Sequence, residues 1–147
     1  MEKAQGYVLD SFALIGYLEN EPFAEQMEYL LRDAVRGKIV LYIHAIHIGE
    51  VYYITHREKG KSLADLVYKR IKGFPLSFVD RISEELLLAA SSIKARYPVS
   101  YADAFAAALA KITRFPLLSG DPEFVPLQEN GEMHMAWLRS TPPFIEG

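Results

Sequence analysis

The stretch KIVLYIHAIHIGEVYYITHREKG, residues 38–60, changes its rhythm halfway. Residues 38–43 form an apolar run rich in β-branched and aromatic side chains after one lysine, which reads as a strand buried on both faces. From there to Gly60 the segment reads as a helix, closed by the glycine. Placed on a helix at about 100° per residue, Glu50 falls between Ile43, Ile46 and Ile54, the stripe expected to face the core. A carboxylate there loses its water, and isolated burial costs several kcal/mol unless the group is paired, protonated or bound to metal.

The same alternation runs along the chain. Further strands are expected at YVL (7–9), FPLSFV (74–79), FPLLSG (115–120) and MHMAWL (133–138). Helices are expected over residues 11–18, 22–37, 62–72, 81–97 and the alanine-rich 100–113. In the second of these, Pro22 stands at the start and Gly37 at the end. Short apolar strands alternating with helices predict an α/β three-layer sandwich, a parallel sheet of about five strands with helices on both faces. Neither an internal repeat nor a Gly/Ser linker interrupts residues 1–147, so a single domain is expected.

Composition narrows the classes of function. Half of the 147 residues are hydrophobic and 24% are charged, an ordinary balance for a globular protein. The net charge of −3 excludes a general basic coat for nucleic acid. Residues 55–73 do concentrate Arg57, Lys59, Lys61, Lys69, Arg70 and Lys72, either a solvated helical face or a phosphate-contacting patch. Without cysteine there is neither disulfide nor thiolate metal site. No apolar run approaches the roughly 20 residues of a membrane span. The N-terminal segment, broken by Asp10, does not read as a signal peptide, so a cytoplasmic location is expected.

Parallel sheets place their sites outside the carboxyl ends of the strands, so the acids just beyond those ends matter most. Asp10 follows the first strand and Asp121 the fourth. Each also has a structural reading, Asp10 as the cap of the helix from Ser11 and Asp121 as the cap of a turn opened by Pro122. Asp103, three residues after Ser100, suits the first turn of a helix. Only Glu50 has no cap to make; its structural alternative is an arginine or lysine partner. In a parallel sheet all four can converge at one edge. Like charges about 4 Å apart repel by roughly 4 kcal/mol at an effective dielectric of 20, a cost that a bound cation offsets. An all-oxygen ligand set suits Mg²⁺ or Mn²⁺, and the reaction that needs it is metal-assisted hydrolysis of a phosphodiester.

Four pieces of the sequence, YVLDSFALIGYLENEP, IHAIHIGEVYYI, SYADAFAAALA and LLSGDPEF, together resemble the PIN domain family, and most of all its VapC-type toxins. They occur in the family's order across nearly the whole chain, and MHMAWL fits the family's last strand. The resemblance implies an endoribonuclease using Mg²⁺ or Mn²⁺, with Asp10, Glu50, Asp103 and Asp121 as its acidic quartet. In those roles Asp10 is the central ligand, Asp103 and Asp121 complete the shell, and Glu50 holds the attacking water. It implies products with 5′-phosphate and 3′-hydroxyl ends, and puts Ser11 and Ser119 beside the site as hydroxyl hydrogen-bonders. Ser119 stands where threonine is more usual. It further implies a homodimer and a cognate antitoxin in the active-site groove. The outer face of the Glu50 helix, with Ile48 and Tyr52, offers either such a contact or ordinary packing within the monomer.

Other chemistries fit less well. His44, His47 and Glu50 lie at helical spacing but match no helical zinc motif, and the reading is that His44 caps the helix and His47 sits at the core edge. No glycine-rich phosphate loop and no Gly-x-Ser-x-Gly are present. Phosphotransfer at Asp10 lacks the second acid that dehalogenase-like proteins place two residues later, since Phe12 stands there. Tyr52, Tyr53, Tyr97 and Tyr101 are candidates for stacking on bases or for amphipathic packing. A PIN-like RNA- or protein-binding module without catalysis is the alternative to a nuclease, and such a chain is expected to have lost one or more of the four acids, all retained here.

Overall fold

A computed structural model describes residues 5–139 of the chain. Five strands form one sheet in the order β3-β2-β1-β4-β5, every neighbouring pair parallel. They are β1 (Gln5–Leu9), β2 (Ile39–His44), β3 (Ser77–Val79), β4 (Leu117–Ser119) and β5 (Met135–Trp137). Between them run α1 (Ser11–Leu18), α2 (Ala24–Val35), α3 (Ala45–Lys59), α4 (Lys61–Lys72), α5 (Glu84–Arg96), α6 (Tyr101–Thr113) and α7 (Val125–Glu129).

The central strand β1 is buried from Gly6 to Leu9, which is why its sequence is continuously apolar rather than alternating. Its side chains feed two separate cores. Tyr7 and Leu9 join Leu14, Met27, Leu30, Ile48 and Ile71 under α1–α4. Val8 joins Ala90, Ile93, Phe105, Leu117 and Phe124 under α5–α7. The expected three-layer sandwich is therefore present, helices on both faces. On the second face, the buried alanines 104, 106–108 and 110 of α6 allow that helix to lie close against the sheet and α5.

Local chemistry sets the boundaries. Gly60, at φ 97°, joins α3 to α4 in a single residue, a conformation that side-chain-bearing residues rarely adopt. The third strand is shorter than expected, because Pro75 has no N–H to donate and Leu76 turns its own N–H back to the Phe74 carbonyl. The fourth and fifth strands are likewise trimmed to three residues each.

The helix carrying Glu50 differs in phase from the expectation. Ile43 belongs to β2 and is fully buried there; the helix starts two residues later, because His44 stays extended and its Nδ1 accepts the Ile46 N–H at 3.1 Å. The inward face of α3 is His47, Ile48 and Val51, and Glu50 stands on its flank, half-buried. Ile48 is thus core and not part of an outer face, while Tyr52 donates to Asp65 at 2.6 Å.

Candidate metal centre

At the carboxyl ends of β1 and β4 the chain turns directly into helix, which aims backbone N–H groups at the acids that follow. Asp10 caps α1: its Oδ1 accepts the Ala13 N–H at 3.1 Å. Its Oδ2 accepts the Ser119 hydroxyl at 2.7 Å, and Ser119 Oγ in turn accepts the Asp121 N–H at 3.1 Å. Ser119, fully buried, is therefore the link between the first strand's acid and the fourth strand's acid. Asp121 caps the short turn Pro122–Phe124 through the Glu123 N–H, and Ser100 caps α6 through the Asp103 N–H. The capping readings of Asp10 and Asp121 hold, and they are also what fixes these carboxylates in place.

All four expected acids line one cleft of about 500 Å³, together with Ser11. Asp103 and Asp121 of this cleft, joined by the exposed Glu123 beside it, bring carboxylate oxygens within 4.8 Å of one another. Sequence reasoning missed Glu123. Its only signal was the spacing Asp-Pro-Glu at the start of a turn, too common to single out.

The electrostatics show what this proximity costs. Burial pushes the Asp10 carboxyl up to about 7, the charges of Asp121 and Glu50 adding to it, while the hydrogen bonds from Ser119 and Ala13 pull it down. Asp103 also stands at about 7, raised by burial first and by the Asp121 charge second. A carboxyl–carboxyl hydrogen bond with Glu123 contributes next, and such a bond needs a proton between the two groups. The Glu50 carboxyl is raised as well, by burial, against which the Ser11 hydroxyl acts. Among the described residues no lysine or arginine partner moderates it, and its Oε1 is buried without a hydrogen-bond donor. Several acids with raised proton affinity, one orphaned buried oxygen and an all-oxygen donor set fit a hard divalent cation.

Residues 7–129 match the PIN domain family. The chain belongs to that family. The PIN fold seen here is shared with toxin–antitoxin VapBC structures at low sequence identity. A chain of VapBC from Salmonella typhimurium, bound to DNA, superposes with a TM-score of 0.69 at 13% identity, covering 92% of this chain and 99% of that one. VapBC2 from Rickettsia felis, bound to a promoter fragment, gives 0.68 at 13% identity, covering 92% and 100%. VapBC-1 from nontypeable Haemophilus influenzae gives 0.65 at 15% identity, covering 92% and 98%. No protein of curated function matches the sequence.

The remaining candidates of the PIN chain resolve into structural roles. His44 spends both ring nitrogens, Nδ1 on the Ile46 N–H and Nε2 on the Arg81 carbonyl at 2.9 Å, which excludes it as a zinc ligand. His47 lies fully inside the core rather than at its edge. It donates through Nε2 to the Ala102 carbonyl at 2.8 Å, and burial lowers its pKa to about 4, so it is neutral. The basic residues of α3 and α4 are exposed and engaged locally: Lys61 pairs with Asp65 at 2.9 Å, and Lys72 lies over the Phe78 ring. Among the described residues, no helix is long and apolar enough to cross a membrane.

Proposed function

We propose that this PIN domain is an endoribonuclease that hydrolyses RNA phosphodiesters with Mg²⁺ or Mn²⁺, and acts as the toxin of a toxin–antitoxin pair. The observation that carries this reading is the cleft itself: acids from β1, α3, α6 and the β4 turn face one space, and no basic side chain lines it among the described residues. Asp10, Asp103 and Asp121 are the residues to hold the ion, with Glu50 and Glu123 beside them. A divalent ion held there supplies a Lewis acid for a phosphoryl oxygen and lowers the pKa of water.

The chain's own residues supply the positioning. Ser119 and the Ala13 N–H fix both oxygens of Asp10, so that carboxylate cannot rotate away from the cleft. Ser11, at the first turn of α1, faces Glu50 across the cleft and orients it. Glu50 Oε1, desolvated and without a donor, is the oxygen suited to take the proton of the attacking water. Water attack on phosphorus and departure of the 3′-oxygen leave 5′-phosphate and 3′-hydroxyl ends. Membership of the PIN family and the VapBC fold likeness support the toxin reading, with a cognate antitoxin as protein partner and a homodimer as assembly.

The test combines stability, cleavage and partner capture. Mn²⁺ is expected to raise the thermal midpoint of the wild type, and the wild type but not Asp10→Asn is expected to cut single-stranded RNA. Cleavage by Asp10→Asn at the wild-type rate overturns the assignment. Metal-dependent stabilisation without cleavage of any RNA favours the inactive binding module instead. Co-expression with the neighbouring reading frame, followed by pull-down, tests the antitoxin.

A further inference from the structure

Among the residues lining the acidic cleft is a pair of aromatic rings that no structural role exhausts. Phe12, two residues after Asp10 on α1, stacks on Phe23 with ring centroids 5.5 Å apart and an interplanar angle of 17°. Each ring is seated where a glycine has no side chain. A Cβ on Gly120, directly before Asp121, would lie 2.7 Å from the Phe12 ring, and one on Gly16 would lie 1.9 Å from the Phe23 ring. The pair is thus held between α1 and the end of β4, at the rim of the metal centre. Phe12 nevertheless keeps 38% of its surface exposed, and both rings line the same cleft as the acids.

The charge of the walls decides what such a ring can be for. The lining contributes six carboxylates, those of Asp10, Glu19, Glu21, Glu50, Asp103 and Asp121, with no lysine or arginine among the described residues. Among the described residues Glu19 alone of these is paired with a lysine, Lys59 at 3.8 Å, so a polyanionic chain entering this cleft gains little from its walls through its phosphates, apart from those at a bound metal. Its uncharged part, the base, has to supply the remaining affinity. Of the other aromatics noted from the sequence, Tyr97 and Tyr52 donate their hydroxyls to Glu132 and Asp65, Tyr53 lies under the Arg57 guanidinium, and Tyr101 stacks on Phe105; none of the four lines this cleft.

We propose that Phe12, backed by Phe23, is the platform on which an unpaired base next to the scissile phosphate stacks. This rests on the nuclease reading above and narrows its substrate to single-stranded segments, because a base inside a duplex is already stacked on its neighbours. Any base presents a π-face, so the platform contributes affinity with little sequence preference.

The experiment compares wild type, Phe12→Leu and Phe12→Trp in two arms. One is cleavage of a random-sequence single-stranded RNA pool with Mn²⁺; the other is anisotropy binding of the same labelled pool with Ca²⁺ in place of Mn²⁺. Phe12→Leu is expected to raise KM and Kd about tenfold with kcat nearly unchanged, and Phe12→Trp to restore both. Pre-annealing the pool to its complements is expected to remove the difference between variants. If Phe12→Leu melts like the wild type, cleaves and binds with unchanged KM and Kd, the stacking role is overturned, and the ring pair is left to an apolar side chain of a protein partner. If binding depends on Phe12 but no RNA is cut, the platform stands and the nuclease reading falls.

Discussion

Asp10→Asn in the metal-free protein isolates the cost of the acid cluster. In the folded chain the Asp10 carboxyl titrates near 7, against an ordinary value of 3.8. That rise corresponds to about 4 kcal/mol between the two protonation states. The sign follows from proton counts. Below pH 4 both folded and unfolded states carry the proton, and Asp10 contributes nothing pH-dependent. Between about 4 and 7 the unfolded chain releases its proton while the folded chain keeps it, so stability falls as pH rises. Above 7 the full loss is reached. Asparagine can still accept the Ala13 N–H, and its amide can donate to Ser119 Oγ, so the packing survives with no charge to bury. Urea unfolding in EDTA from pH 4 to 8 is therefore expected to show the wild type losing up to about 4 kcal/mol relative to Asp10→Asn. Saturating Mn²⁺ at pH 7.5 should return about 2.7 kcal/mol to the wild type at a hundredfold excess over Kd, and little to the variant. Parallel stability curves for the two proteins across that range, with and without Mn²⁺, would falsify the claim that Asp10 is a desolvated carboxylate awaiting a cation.

Other perturbations test the supports around the site. Ser119→Ala removes a donor to Asp10 and an acceptor for the Asp121 N–H, and is expected to cost about 2 kcal/mol in urea unfolding and to weaken Mn²⁺ binding by calorimetry. Glu132, buried and bound by Arg96, Tyr97 and Lys111, has its carboxyl lowered to about 2, chiefly by the Arg96 guanidinium. That stabilisation is fully present above about pH 4.5 and lost as pH falls toward 2; with its cationic partners half-exposed, Glu132→Gln should cost about 2 kcal/mol at pH 7, the gap closing in acid. Gly16→Ala puts a methyl into the Phe23 ring and is expected to destabilise by about 1–3 kcal/mol while raising the RNA KM, as read by melting and cleavage together.

The layered fold was legible because several strands are short, continuously apolar runs and the intervening segments have a helical period. Residues 7–9 and 39–43 could be read as strands without knowing their neighbours. Boundaries were less legible where one residue's hydrogen bond decides them. The wheel for α3 was anchored on Ile43, but His44 caps the helix with its own ring and starts it later. Within the helix Ile46, Glu50 and Ile54 still share one stripe, but the face that packs on the core is the neighbouring one of His47, Ile48 and Val51, which leaves Glu50 on the flank. Glu50 is desolvated all the same, because the flank of α3 borders the cleft, and among the described residues it has no cationic partner.

Within the site, legibility divides by how local the determinant is. Asp10, Asp103 and Asp121 sit at helix starts, where a cap and a cluster member need the same thing: a carboxylate held beside backbone N–H groups at the end of a strand. Such residues are ambiguous from sequence because both readings are true of them. Glu123 and the Phe12–Phe23 pair have no such local mark. Glu123 reaches Asp103, twenty positions earlier, only because β4 brings the turn after it beside the start of α6. Phe12 and Phe23 meet across the α1–α2 connection only because Gly16 leaves room for the second ring. Chemistry made by an isolated acid on a helix shows in its neighbours' pattern; chemistry made by two side chains meeting across a gap depends on an atom that is missing, here a Cβ, and a missing atom carries no periodicity. A cleft with acidic walls can hold a polyanion only through a cation and an uncharged face, so the determinants hardest to read are the ones that would decide which nucleic acid enters.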